Sequence, residues 1–95
     1  MMTDAELRLV LQTALLGEVG PALRGVAYGR DDGAVVIRFC FDGPIRDEDR
    51  ESASCVVTEV IAAMPATVRV VEEVIRLDAP ARLPPDLPHV FRRRE

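Results

Sequence analysis

Two thiols, one imidazole and two runs of carboxylates are the side chains of this sequence with the types and spacing for chemistry. Cys40 or Cys55 with His89 offers the parts of a nucleophile–base pair, leaving an Asp or Glu to orient the imidazole. Their settings argue against it. Cys55 falls inside a helical stretch rather than at a helix N-terminus, where a thiolate would be stabilised, and Cys40 falls in mid-strand. His89 belongs to a proline-rich tail, where a histidine is packed or solvated. Both cysteines sit in apolar sequence, so buried and inert free thiols are expected. No Cys-x-x-Cys occurs, and one histidine with two distant thiols falls short of a structural zinc site.

The carboxylate runs are Asp47, Glu48, Asp49 and Glu51, then Glu72 and Glu73. Acid–base chemistry needs two carboxyls facing one pocket with their pKa values pushed apart. Adjacent acids on an exposed helix start stay solvated and ionised instead. Two uses remain for them, complementing the helix dipole and docking a basic partner. Asp31-Asp32-Gly33 lacks the later ligands of a calcium loop and is expected to be a turn. The glycines lack the strand-to-helix context of a phosphate-binding loop. No catalytic residue, metal or cofactor is therefore expected. The six carboxylates Asp47, Glu48, Asp49, Glu51, Glu72 and Glu73 are the candidate partner surface.

The elements that would position these groups are legible in the periodicity. Thr3-Asp4-Ala5-Glu6 is a capping box, and Leu7, Val10, Leu11, Ala14 and Leu15 follow at helical spacing up to Gly17. A first helix is expected over about Asp4 to Leu16. A strand over Ala22 to Tyr28 meets an Asp-Gly hairpin turn before a second strand, Ala34 to Phe41. Val35, Ile37, Phe39 and Phe41 form its core face; Val36, Arg38, Cys40 and Asp42 form the other. The second helix spans Asp47 to Ala63, with Ala53, Val56, Val57, Val60, Ile61 and Met64 as its apolar stripe, and Pro65 ends it. A third strand, Thr67 to Leu77, is interrupted at Glu72-Glu73, which fits either a β-bulge or an edge position. The segment 79–89 holds four of the seven prolines and is expected to wrap the surface in extended form. Val90-Phe91-Arg92 could add a short last strand.

These elements specify an α+β fold, a two-layer sandwich in the order α-β-β-α-β with both helices on one face of a mainly antiparallel sheet. A right-handed crossover through the second helix runs strand three parallel in direction to strand two. Placing strand three beside strand one gives the order 2-1-3, with every neighbour antiparallel. The far face, with Val36, Arg38 and Cys40, is then open and mixed, a surface for a homodimer or a partner.

With 95 residues, the chain is expected to be one domain, 1–95, burying roughly two-thirds of its unfolded surface. A 48% hydrophobic content excludes disorder, and no apolar run approaches a membrane span. The acidic start Thr3-Asp4-Ala5-Glu6 is unlike a secretory signal, so a cytoplasmic location is expected. All twelve basic residues are arginine, consistent with GC-rich codon usage in a bacterial host. A net charge of −4 argues against nucleic-acid binding, since the one basic run is Arg92-Arg93-Arg94. Arg92 to Glu95 is expected as a frayed, solvated terminus, or as a tail that meets the acidic helix start of a second subunit.

Four segments carry a resemblance that spans most of the chain. They are Leu15 to Arg24 (LLGEVGPALR), Arg38 to Gly43 (RFCFDG), Glu48 to Ala53 (EDRESA) with Thr58 to Ala62 (TEVIA), and Ile75 to Pro80 (IRLDAP). In these the chain resembles small bacterial immunity proteins of contact-dependent growth inhibition systems. The resemblance implies a non-enzymatic protein that binds and occludes a cognate toxin domain. The acidic helix start fits a basic toxin, because charge would steer the two together. The rival expectation is a homo-oligomeric domain with no toxin partner, associating through the open sheet face or an edge strand.

Overall fold

The computed structural model describes residues 2–95. Six elements follow in the order α1 (Asp4–Ala14), β1 (Leu23–Asp31), β2 (Ala34–Phe41), α2 (Asp47–Ala63), β3 (Arg69–Arg76) and β4 (His89–Arg92). The α1 capping box forms as its sequence dictates. The Glu6 amide donates to Thr3 Oγ1 at 3.1 Å, and the Thr3 amide donates back to Glu6 Oε1 at 3.3 Å. Asp32 and Gly33 both take positive φ, 50° and 79°, the geometry an Asp-Gly hairpin turn requires.

The four strands make one sheet in the order β3-β2-β1-β4. β1 pairs antiparallel with β2 and with β4, while β3 pairs parallel with β2. The sheet is thus mainly antiparallel, but the expected order 2-1-3 is wrong. The crossover through α2 carries the chain to the free side of the strand it has just left, which makes the shortest parallel connection. The outer side of β1 is left for β4, which the tail supplies. β3 is an edge strand in unbroken register with β2, so the edge explanation of Glu72-Glu73 holds and the bulge does not.

Both helices cover one face, as their apolar stripes demand. Leu7, Leu11 and Ala14 of α1 and Ala53, Val56, Val57 and Val60 of α2 are buried against Val26, Tyr28, Val35, Ile37, Phe39 and Phe41. One stripe residue fails this pattern: Ile61 is 52% exposed. At about 100° per residue it lies roughly 80° from the centre of the stripe set by the others, beyond the edge of the buried face. Cys55 is likewise exposed rather than buried, because it sits about 200° round the helix from Ala53. Cys40 is buried as expected.

The other face of the sheet is not open. Segment 79–88 crosses it, and β1 is built from small residues there to receive it. A Cβ at Gly25 would lie 3.2 Å from Leu83 Cδ1 and 3.1 Å from His89 Cδ2, and one at Gly29 would lie 2.6 Å from Leu87 Cδ2. Leu83 is buried in this second layer, and Arg38 Nη1 donates to Asp86 Oδ1 at 2.9 Å to pin it to the sheet. The expected dimer surface on this face is therefore occupied by the chain itself along β1.

Candidate functional site

Of the six candidate carboxylates, four stand together. Asp47, Glu48, Asp49 and Glu51 occupy the first turns of α2, just past the Gly43-Pro44 turn where β2 ends. Asp49 reaches back to accept from the Arg46 amide at 3.1 Å, capping the helix from its third position. Glu48 lies 3.9 Å from Arg46, an exposed and weak pairing. Asp47 and Glu51 are exposed and form no ion pair among the described residues. The α2 dipole favours negative charge at this helix start.

The start of α2 separates two shallow grooves, both lined by Glu48 and Asp49. One, of about 290 Å³, is closed on its far side by the connector Gly17 to Pro21, with Phe41 at its base. The other, of about 340 Å³, is bounded by Asp42, Pro44, Arg46 and Arg93. The connector brings residues the sequence reading passed over: Glu18 adds a carboxylate, and Val19, 45% exposed, adds an apolar wall. A large apolar side chain in a glycine-bounded connector, with no periodicity to place it in a core, was the available signal.

Glu72 and Glu73 are not part of this cluster. They lie in the middle of β3, opposite Ile37 and Arg38, and adjacent strand residues point to opposite faces. Glu73 accepts from Arg38 Nε at 3.0 Å on the face crossed by segment 79–88. Glu72 is exposed on the helix side and forms no ion pair among the described residues. The candidate surface is therefore one cluster and one separate edge.

Several charged groups elsewhere are committed to structure. Arg93 donates to Asp42 at 2.9 Å and to the Pro21 carbonyl at 2.9 Å, and its amide donates to the Arg24 carbonyl at 2.8 Å. The tail is thus docked on its own chain, neither frayed nor free for a second subunit. The hydrogen bond from Arg93, then that from the Ala79 amide, holds the Asp42 carboxyl below its ordinary range. Asp78 is lowered likewise by Arg76 and by the Gly43 amide.

Neither thiol has the setting of a nucleophile. Burial pushes the Cys40 thiol up, more than Arg38 and Arg24 pull it down. Cys40 makes no hydrogen bond to His89 among the described residues. His89 lies on β4 opposite Ala27, and burial, with Arg92 and Arg38 nearby, lowers its pKa and favours the neutral ring. No group of three or more His, Cys, Asp or Glu among the described residues is placed to hold a metal ion.

Fold and site together give a domain with both helices on one face of its sheet, the other face crossed by its own tail, and an acidic, partly apolar shoulder turned to solvent. Residues 4–95 match the MafI2 immunity protein family, and the chain belongs to it. No curated protein matches the chain. Membership assigns a protein-binding immunity role without enzymatic activity, in agreement with the resemblance carried by the four sequence segments. It overturns the rival expectation of a homo-oligomeric domain without a toxin partner. No helix among the described residues is long and apolar enough to cross a membrane.

Proposed function

We propose that this immunity protein neutralises a basic toxin domain in the cytoplasm by covering it with the acidic shoulder at the start of α2. The observation that carries this reading is the cluster of Asp47, Glu48 and Glu51, exposed, with the half-buried Asp49, all without strong cationic partners, between two grooves. Natural dipole complementarity accounts for carboxylates at a helix start, but not for the exposed apolar Val19 that lines the same groove. Buried aromatic or aliphatic contacts rimmed by charge are the usual anatomy of a tight interface. The net charge of −4 would steer a basic partner to this surface and raise the association rate. The whole chain, 1–95, acts as one domain in this reading, with no catalytic residue and no cofactor.

The test is binding to a cognate toxin domain, sought among the genes neighbouring that of this chain. Asp47→Asn, Glu48→Gln and Asp49→Asn together should slow association and flatten its dependence on salt, with dissociation little changed. If the triple variant associates at the wild-type rate at low salt, the cluster serves only as a helix cap.

A further inference from the structure

The edge strand β3 is the second place where this surface is unfinished. Its eight residues, Arg69–Arg76, pair with β2 on one side in unbroken register, and no strand among the described residues pairs with the other. Every second amide and carbonyl therefore points outward, ready for another strand. Val70, Val71, Val74 and Ile75 are only half-buried, so the two faces of the edge each offer apolar surface to an added strand. A groove of about 620 Å³ runs along the edge on one face, with Ile75, Pro84 and Pro85 among its walls. Natural edges are blunted by bulges, prolines or charged side chains; β3 has neither bulge nor proline, and the charges at its centre, Glu72 and Glu73, are both acidic, which bars like-charged strands but not a basic one.

The charges beside the edge decide what would fit. On the groove side, Glu73 and Asp86 share the single guanidinium of Arg38, at 3.0 and 2.9 Å, which leaves one negative charge unmatched. On the helix side, Glu72 has no cationic partner among the described residues. A strand laid against the centre of β3 therefore meets excess negative charge on both faces.

A second copy of β3 is a poor occupant. Two antiparallel copies related by a two-fold axis must place a residue opposite its own mate, since only residues on the same face are paired across strands. The two registers that pair the most residues set Glu72 against Glu72 or Glu73 against Glu73. Like charges directly opposite are destabilising. Offset registers bring Glu against Arg only by giving up part of the pairing.

We infer that β3 receives an extended segment of the toxin partner as an additional strand, with a basic residue set against Glu72 and another directed into the groove beside Glu73. This deepens the toxin-binding reading above and rests on it. Main-chain hydrogen bonds along the edge would supply affinity, and the two carboxylates would set register and choice of partner. The acidic shoulder at α2 would then govern approach, and β3 the lifetime of the complex.

Amide exchange of the full chain, free and bound to its cognate toxin domain, tests this. Alternate amides within residues 69–76 should slow by about a hundredfold or more on binding, while those already bonded to β2 are protected in both states. Glu72→Arg should weaken binding by about tenfold or more, and the milder Glu72→Gln by less, with melting unchanged because the residue is exposed. A complex that forms without new protection in β3, or that is indifferent to Glu72→Arg, overturns the strand addition and leaves the immunity reading intact. Protection of the same amides in a homodimer of the free chain overturns it in favour of a second copy. Failure of the wild-type chain to bind that toxin domain overturns both readings.

Discussion

Arg24 and Glu95 stand 71 residues apart in sequence and meet in a two-pronged ion pair, Nε to Oε2 at 2.7 Å and Nη2 to Oε1 at 2.8 Å. The third donor, Nη1, reaches the Leu77 carbonyl at 2.7 Å. Arg24 is the extra residue of a β-bulge between Leu23 and Gly25, which turns its side chain to the face opposite the helices. It is 2% exposed, so these three bonds replace nearly all of its water. The hydrogen bond from Arg24 is the largest cause that brings the Glu95 carboxyl down from 4.5 to about 2.

Because the folded pKa lies below the unfolded one, the unfolded chain takes up this proton first on acidification. The stabilisation by Glu95 is complete above about pH 4.5 and is lost as pH falls towards 2. Thermal melts across that window should show a steeper acid loss for the wild-type chain than for Glu95→Gln. Asp42 and Asp78, also lowered, keep some acid dependence in the variant. Equal slopes for the two proteins would mean that the pair contributes nothing in solution.

Arg24→Met should destabilise at neutral pH by about 1–3 kcal/mol, because it leaves the Leu77 carbonyl without a donor. Urea unfolding measures this directly.

Phe39→Ala removes the largest apolar side chain from the middle of the helix-covered face, where Phe39 is 1% exposed. The expected loss is about 3–5 kcal/mol in denaturant unfolding. A cost near that of an exposed site would show that the two layers do not close over this residue.

The thiols should separate cleanly. A thiol reagent should modify Cys55 in the native state and Cys40 only on unfolding, since one is exposed and the other buried with its pKa raised. Native labelling of both, followed by peptide mass analysis, would contradict the burial of β2 beneath segment 79–88.

Gly25→Ala tests that same cover. Its Cβ would stand 3.1 Å from His89, 3.2 Å from Leu83 and 3.3 Å from the Phe91 carbonyl, and all three cannot retreat together. Overpacking of this kind costs about 1–3 kcal/mol. Faster amide exchange in residues 83–91 than in α2 should accompany it.

Local structure was legible because each element carries its own period and its own stop. β2 and α2 have the bounds their patterns give, from Ala34 to Phe41 and from Asp47 to Ala63. What escaped was decided by residues far apart. The place of β3 depended on which side of β1 the tail would take, and no periodicity in Val90-Phe91-Arg92 states that. The second layer depended on Leu83 and Leu87 finding Gly25 and Gly29, and a proline-rich segment shows no pattern of burial. Ile61 was misplaced because a stripe on a helical wheel has a width set by its neighbours. The cluster at α2 was visible as a run of acids. That Glu72 and Glu73 lie apart from it, on opposite sides of an edge, follows from sheet order alone.

Arg8 of the first helix donates to the His89 carbonyl at 2.8 Å, across 81 residues of sequence, and to the Tyr28 hydroxyl at 3.1 Å. With the Arg24–Glu95 pair, this means that the first helix and first strand are fastened by residues 89–95. During synthesis the helix and hairpin emerge first but stay unclasped until residues 89–95 have left the ribosome. Chain released early would therefore lack both β4 and the clasp on Arg24.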